Sequence, residues 1–249
     1  MEITTQTIGE LVAKDFRAAT VFEKFGIDFC CKGNRTIEQA CEKKEIDPEK
    51  VKAMLKEVMS STNEGHVDFE SWPLDLLADY IEKKHHRYVE ERIPLLLQYL
   101  NKLCKVHGHA NPELIEINSL FFECSQALAA HMKKEELVLF PFVRKMVKYH
   151  NEGRSINEPH FKTVKNPIMM MMSEHESEGD RFEKIAALSN NYTPPAHACN
   201  TYQVTYKLLD EFEKDLHKHI HLENNILFPR AVKAESEASF ATEEDVAQP

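Results

Sequence analysis

An eleven-residue pattern occurs twice in this chain and narrows what it can fold into. Residues 131–141 read HMKKEELVLFP and residues 219–229 read HIHLENNILFP, so both contain His-x-x-x-Glu-x-x-x-Leu-Phe-Pro. The first His of each copy, His131 and His219, are 88 residues apart, and the upstream pair His86 and His175 follows almost the same translation at 89. Within each half the separations also match: 45 residues from His86 to His131, and 44 from His175 to His219. Each half therefore presents one His on a first helix and a His-x-x-x-Glu on a second. Residues i and i+4 share a helix face with Cβ atoms about 5–6 Å apart, so such a His and Glu can reach one metal ion. Two such helix pairs, facing each other, predict a four-helix bundle with its donors pointed inward.

The donor count then selects the metal. Four imidazoles and two carboxylates exceed what one ion uses, but suit two ions about 3.5–4 Å apart. Two His per ion and one oxygen from each of two bridging Glu make four donors. An oxo or hydroxo bridge makes five and leaves one octahedral position open. Mixed imidazole and carboxylate ligation fits iron, manganese or zinc, and this count points to two non-haem Fe ions. A single His-x-x-x-Glu is usually a solvated i,i+4 pair. Duplication, with the same Leu-Phe-Pro trailer and a matched upstream His, is hard to reconcile with that. The trailers are read as packing around the site. His85 and His86 fit the apolar stripes equally well, and only the spacing within each half favours His86. His66, His107, His109, His150, His160, His197, His217 and His221 are read as surface residues. Met169 to Met172 is read as a flexible core stripe.

Helix signals organise the rest. Thr7 caps a helix over roughly 8–14, and Gly26 suits the stop of a second. Thr36 with Gln39 forms a capping box, and Asp47-Pro48 opens a fourth helix. Longer segments follow at about 73–107, 112–149, 167–189 and 201–231, with Pro94 predicting a kink or one lost hydrogen bond in the first. The boundaries expected are an N-terminal helical domain at 1–59, a polar linker at 60–71, the bundle at 72–231 and a disordered acidic tail at 232–249. The 150–166 connection reads as a surface insertion. The fold class is all-α, and seven Gly in 249 residues agrees with few tight turns. A formal charge of −10 argues against nucleic acid as a partner. No apolar run reaches about 18 residues, so no membrane span is expected. The six Cys lack regular spacing and no secretory signal is evident, which suits thiols in a reducing cytoplasm.

Cys30 and Cys31 sit in the loop DFCCKGNRT between two N-terminal helices. Adjacent thiols beside Lys32 could form a vicinal disulfide, receive a metal or take a nitrosyl group, and the nearby cation favours thiolate. In combination, DFCC, HMKKEE with its LFP, SEHE and HIHLENNILFPRA resemble the Repair of Iron Centres family, over nearly the whole chain. The resemblance implies a hemerythrin-like four-helix bundle preceded by a small domain bearing two adjacent Cys. By position, it implies iron ligation by His86, His131, His175 and His219, with Glu135 and Glu223 bridging, and Cys30 and Cys31 as redox or transfer thiols. It further implies cytoplasmic repair of iron–sulfur clusters damaged by nitrosative or oxidative stress, with nitric oxide and dioxygen as small ligands and damaged iron–sulfur proteins as transient partners. Reduction of nitric oxide at the site is compatible with this, and the apolar N-terminal module offers a surface for a homodimer. The competing reading is a hemerythrin-like oxygen-binding or sensing protein.

Overall fold

A computed structural model describes residues 6–60 and 67–240. Among these residues the chain is all-α; β-structure is limited to two isolated bridges, Thr7 to Thr36 and Ile156 to Phe240. The N-terminal module comprises α1 (Ile8–Lys14), α2 (Ala18–Lys24), α3 (Ile37–Glu42) and α4 (Pro48–Ser60). Thr7 with Glu10, and Thr36 with Gln39, close reciprocal capping boxes that satisfy N-terminal amides of α1 and α3. Gly26 has φ +61°, a conformation that favours glycine, and turns the chain after α2.

The bundle contains α5 (Leu74–Tyr80), α6 (Arg87–His107), α7 (Glu113–Lys134), α8 (Phe140–Asn151), α9 (Lys165–Leu188), α10 (Asn200–Leu222) and α11 (Phe228–Glu237). Three of its four long segments are interrupted by a wide π turn: Ile81–His86 before α6, Glu135–Leu139 before α8 and Glu223–Leu227 before α11. The last two fall in the sequence repeat. Pro141 and Pro229 stand in the first turn of the helix that follows. Each lacks the N–H that a continuous helix would donate four residues back, which fits a register change at that point. Single π turns of this kind cluster at functional sites. By contrast, α6 continues through Pro94.

Packing corrects several expectations. The N-terminal module packs directly on the bundle: Leu11, Phe22 and Phe29 share one apolar core with Leu100, Phe121 and Phe212. A second core, including Leu77, Phe140, Met146, Leu227 and Phe228, lies beside the π turns. Within the expected linker, residues 61–66 lie outside the described residues, while Phe69–Ser71 form a 3₁₀ turn whose Phe69 packs on Trp72 and Tyr80. The acidic tail is ordered as far as residue 240. Glu235 is buried and accepts hydrogen bonds from the Val164 amide, at 2.8 Å, and from the Thr163 hydroxyl, capping α9 from another helix. Residues 241–249 lie outside the described residues.

Of the methionine stripe only Met171 is buried, while Met169, Met170 and Met172 are exposed, because α9 turns just one face inward. His221 is buried rather than on the surface, and His217 is half-buried, since Phe16 and Phe29 of the N-terminal module cover that side of α10. His107 is half-buried, with Nε2 3.4 Å from Cys199 Sγ. His109, His150, His160 and His197 are exposed as expected, and His66 lies outside the described residues.

Candidate metal centre

The six residues singled out by the repeat converge in the bundle interior, where His86, His131, Glu135, His175, His219 and Glu223 are all at most 3% exposed. They form two overlapping donor sets: His86, Glu135, His219 and Glu223 in one, and His131, Glu135, His175 and Glu223 in the other. Both carboxylates belong to both sets. Glu223 Oε1 lies 2.9 Å from His219 Nε2, and its Oε2 lies 3.3 Å from His175 Nε2. Glu135 Oε2 lies 3.3 Å from Nε2 of both His86 and His131.

The π turns set this register: α7 ends at Lys134 and α10 at Leu222, so each Glu is the first residue of a widened turn. The phenylalanine of each trailer then stacks on an imidazole. Phe140 lies against His86 (centroids 5.6 Å apart, 19° between planes) and Phe228 against His175 (6.0 Å, 1°).

Hydrogen bonds around the site fix which ring nitrogen faces inward. His86 Nδ1 is 3.1 Å from Glu136 Oε1, His131 Nδ1 is 2.8 Å from Glu174 Oε2, and His175 Nδ1 is 2.8 Å from Asn224 Oδ1. All three partners are acceptors, so each Nδ1 donates and each Nε2 is turned to the interior, where in the neutral ring it offers a lone pair. His131 Nε2 and His175 Nε2 consequently face each other at 2.9 Å. Two lone pairs at that distance repel unless a proton or a cation lies between them. Buried atoms without a hydrogen-bond partner cluster here too: His86 Nε2, both Glu135 oxygens, His219 Nδ1 and Glu223 Oε2. Buried polar atoms are normally satisfied, so the inward Nε2 of His86 together with the unpartnered Glu135 and Glu223 oxygens fits a cation-binding site. Outer partners that orient imidazoles are the usual support of metal-ligating histidines.

Electrostatics agree. Burial raises the carboxyls of Glu135 and Glu223, yet the facing imidazoles outweigh it and hold both below the ordinary carboxylate range, Glu223 strongly so. Burial opposes a charge on His131 as well, but Glu135, Glu174 and Glu223 together lift it to about 10. The surrounding carboxylates therefore favour positive charge at this position.

His85 is buried too, but belongs to neither donor set. Its Nδ1 is 3.1 Å from both oxygens of Asp215, and its ring stacks on His219 at 5.6 Å and 13°.

The cysteine pair sits against this centre. Cys30 and Cys31 Sγ are 3.7 Å apart, and Cys31 Sγ lies 3.3 Å from the His175 carbonyl oxygen. Lys32 does not play the part expected of it: its ammonium pairs with Asp180 at 3.3 Å. The Cys30 thiol is pushed well above the usual range by its contact with Cys31, then by burial and Asp28. Cys41 and Cys124 are buried, Cys104 is half-buried and Cys199 is exposed, and all six cysteines are free thiols.

Phe140 and Phe228 belong to the trailers expected to pack around the site, but four contributors were not singled out by the sequence: Glu136, Glu174, Asn224 and Asp215. Three of these adjoin a proposed ligand in sequence, Glu136 after Glu135, Glu174 before His175 and Asn224 after Glu223. A polar residue beside a ligand on the same helix was the available signal.

A helical bundle with this double His/Glu site defines a hemerythrin-like cation-binding protein, and residues 77–231 match the hemerythrin HHE cation-binding domain. Residues 4–59 match ScdA_N, a domain of unknown function (DUF542). The full-length comparison is more specific. The chain is 33% identical over 235 residues to the iron–sulfur cluster repair protein YtfE of Citrobacter koseri, covering 94% of this chain and 100% of the relative. Identity and coverage are the same for YtfE of Escherichia coli strain UMN026 and of Shigella boydii serotype 4. The chain belongs to this YtfE family of two-part hemerythrin-like proteins.

Proposed function

We propose that the chain repairs iron–sulfur clusters damaged by nitrosative or oxidative stress, using a pair of non-haem irons held by His86, His131, Glu135, His175, His219 and Glu223. The observation that carries this reading is the pair of donor sets sharing both carboxylates, joined by similarity to repair proteins along 94% of the chain. Two irons bound there would supply redox chemistry toward diatomic ligands such as nitric oxide or dioxygen, and a store of iron.

The chain's own residues prepare that site. Glu136, Glu174 and Asn224 keep three imidazoles oriented with Nε2 inward. Glu135 and Glu223 reach both positions, so neither can be lost without affecting the two together. Phe140 and Phe228 cover imidazole faces and exclude water. Cys30 and Cys31, beside the His175 backbone, are the transfer thiols that receive iron or a nitrosyl group. A reversible oxygen carrier has no need of a thiol pair at that position, which favours repair over oxygen binding. No helix among the described residues is long and apolar enough to cross a membrane. Six free cysteines suit a cytoplasmic setting.

The test is iron analysis of the native protein together with reactivation of a nitric-oxide-damaged iron–sulfur enzyme. About two irons per chain and restored enzyme activity are expected. A metal-free native protein, or loaded protein that restores nothing, refutes the proposal. Nitrous oxide formed over many turnovers in the same anaerobic assay would make the protein an enzyme as well.

A further inference from the structure

The side chain of Asn224 joins two parts of the molecule that the sequence keeps far apart. Its carbonyl oxygen accepts from His175 Nδ1 at 2.8 Å, while its amide nitrogen donates to the Cys30 carbonyl oxygen at 3.3 Å. The two bonds fix each other: an amide turned to accept from the imidazole has only its NH₂ left for the cysteine loop. Asn225 continues the contact, its amide nitrogen donating to the Phe29 and Cys30 carbonyl oxygens at 3.2 and 3.4 Å. Cys31 Sγ lies 3.3 Å from the His175 carbonyl oxygen, so the same loop also touches that histidine's backbone.

Two glycines permit so close an approach. A Cβ on Gly33 would lie 2.5 Å from the Phe29 carbonyl oxygen and 3.0 Å from Asn225 Oδ1, and one on Gly9 would lie 2.3 Å from Asn225 Oδ1. Among the described residues no other donor-set imidazole has such an anchor. The outer partners of His86 and His131 are Glu136 and Glu174 of the bundle itself, and Nδ1 of His219 has none.

We propose that Asn224 is a positioning residue through which the N-terminal module latches His175, so that docking of the cysteine loop governs how firmly the His131/His175 position holds its iron. The inference rests on His175 being a metal ligand. Its consequence is asymmetry between the two positions. Lifting the loop withdraws the group that immobilises Asn224 and leaves the imidazole free to rotate. An ion at the His131/His175 position would then be held less firmly, while the His86/His219 position keeps the support of Glu136.

The experiment follows loss of the two irons from reduced, fully loaded, full-length protein to an excess of ferrous chelator without oxygen. Amide hydrogen exchange over residues 28–33 is measured in parallel on metal-free protein. Asn224→Ala should speed release of one iron at least about tenfold, the scale of effect for losing an outer partner of a metal-binding histidine. It should also raise exchange in the loop. Gly33→Ala, which lifts the loop without altering Asn224, should accelerate the same iron. His175→Ala provides the control on the underlying assignment. If it still holds two irons normally, the ligand reading itself is wrong and the latch falls with it. If His175→Ala loses iron while Asn224→Ala and Gly33→Ala release both irons at the wild-type rate, or both equally faster, the ligand reading stands and the latch is refuted.

Discussion

Replacing either shared carboxylate should empty both metal positions, whereas replacing one imidazole should empty one. Glu223→Ala removes a donor from each set of four, because Oε1 faces His219 at 2.9 Å and Oε2 faces His175 at 3.3 Å. His86→Ala removes a donor only from the set that contains it. The carboxylate variant should therefore bind close to no iron, and the imidazole variant about half the wild-type amount. The metal-free proteins offer an independent reading. There, Glu223 is a buried anion facing imidazoles that include the cationic His131, held up at about 10. Removing one partner of a buried ionic cluster costs about 3–5 kcal/mol, because the remaining charge is left uncompensated. For a chain of this size each kcal/mol moves the melting temperature by about 2–4 °C, so the metal-free Glu223→Ala protein should melt roughly 6–20 °C lower. Iron per chain by elemental analysis and a thermal melt of each variant decide the matter. A Glu223→Ala protein that keeps two irons would refute the shared-carboxylate geometry, whatever its stability.

Four further outcomes are expected. His85→Ala should leave iron content near wild type, since His85 is directed to Asp215, while His86→Ala lowers it; the opposite result would move the first ligand by one residue. A Cys30→Ser/Cys31→Ser double variant should load normally yet fail to reactivate a damaged iron–sulfur enzyme, and full reactivation would reduce the pair to packing residues. Glu235→Ala strands the Val164 amide and the Thr163 hydroxyl, at about 1–3 kcal/mol for buried groups left unpaired, seen as a lower denaturation midpoint with iron content retained. The His131 pKa is raised above its unfolded value of about 6.5, so its contribution to metal-free stability is complete below about pH 6.5 and fades as pH climbs through about 10. Melting temperature of metal-free protein should fall across that window and lose this slope in His131→Ala, and the slope should also vanish when metal takes the proton's place.

Repeat and spacing made the centre legible. His131, Glu135, His219 and Glu223 lie four apart on two helices, and a helix leaves no freedom about which face such a pair shares. Capping boxes at Thr7 and Thr36, and the turn at Gly26, are likewise decided by bonds within a few residues of chain, so the sequence locates them without help from the rest of the molecule. Those are local determinations.

What the sequence left open depended on partners distant along the chain. Periodicity could not separate His85 from His86; the π turn at Ile81–His86 and the carboxylates of Glu135 and Asp215 direct one ring into the centre and the other away. His221 reads as a surface residue on its own helix and is buried because Phe16 and Phe29 pack over it. Glu235 reads as part of a disordered tail and is ordered by amide and hydroxyl donors 71 and 72 residues away. Lys32 reads as an activator of thiols until Asp180 takes its charge. The cysteine module's seat on Asn224 and Asn225 joins atoms almost 200 residues apart. Helical spacing and capping fix which residues can share a face or end a helix; only the folded core brings remote faces together, and with them the outer hydrogen bonds that aim His86, His131 and His175.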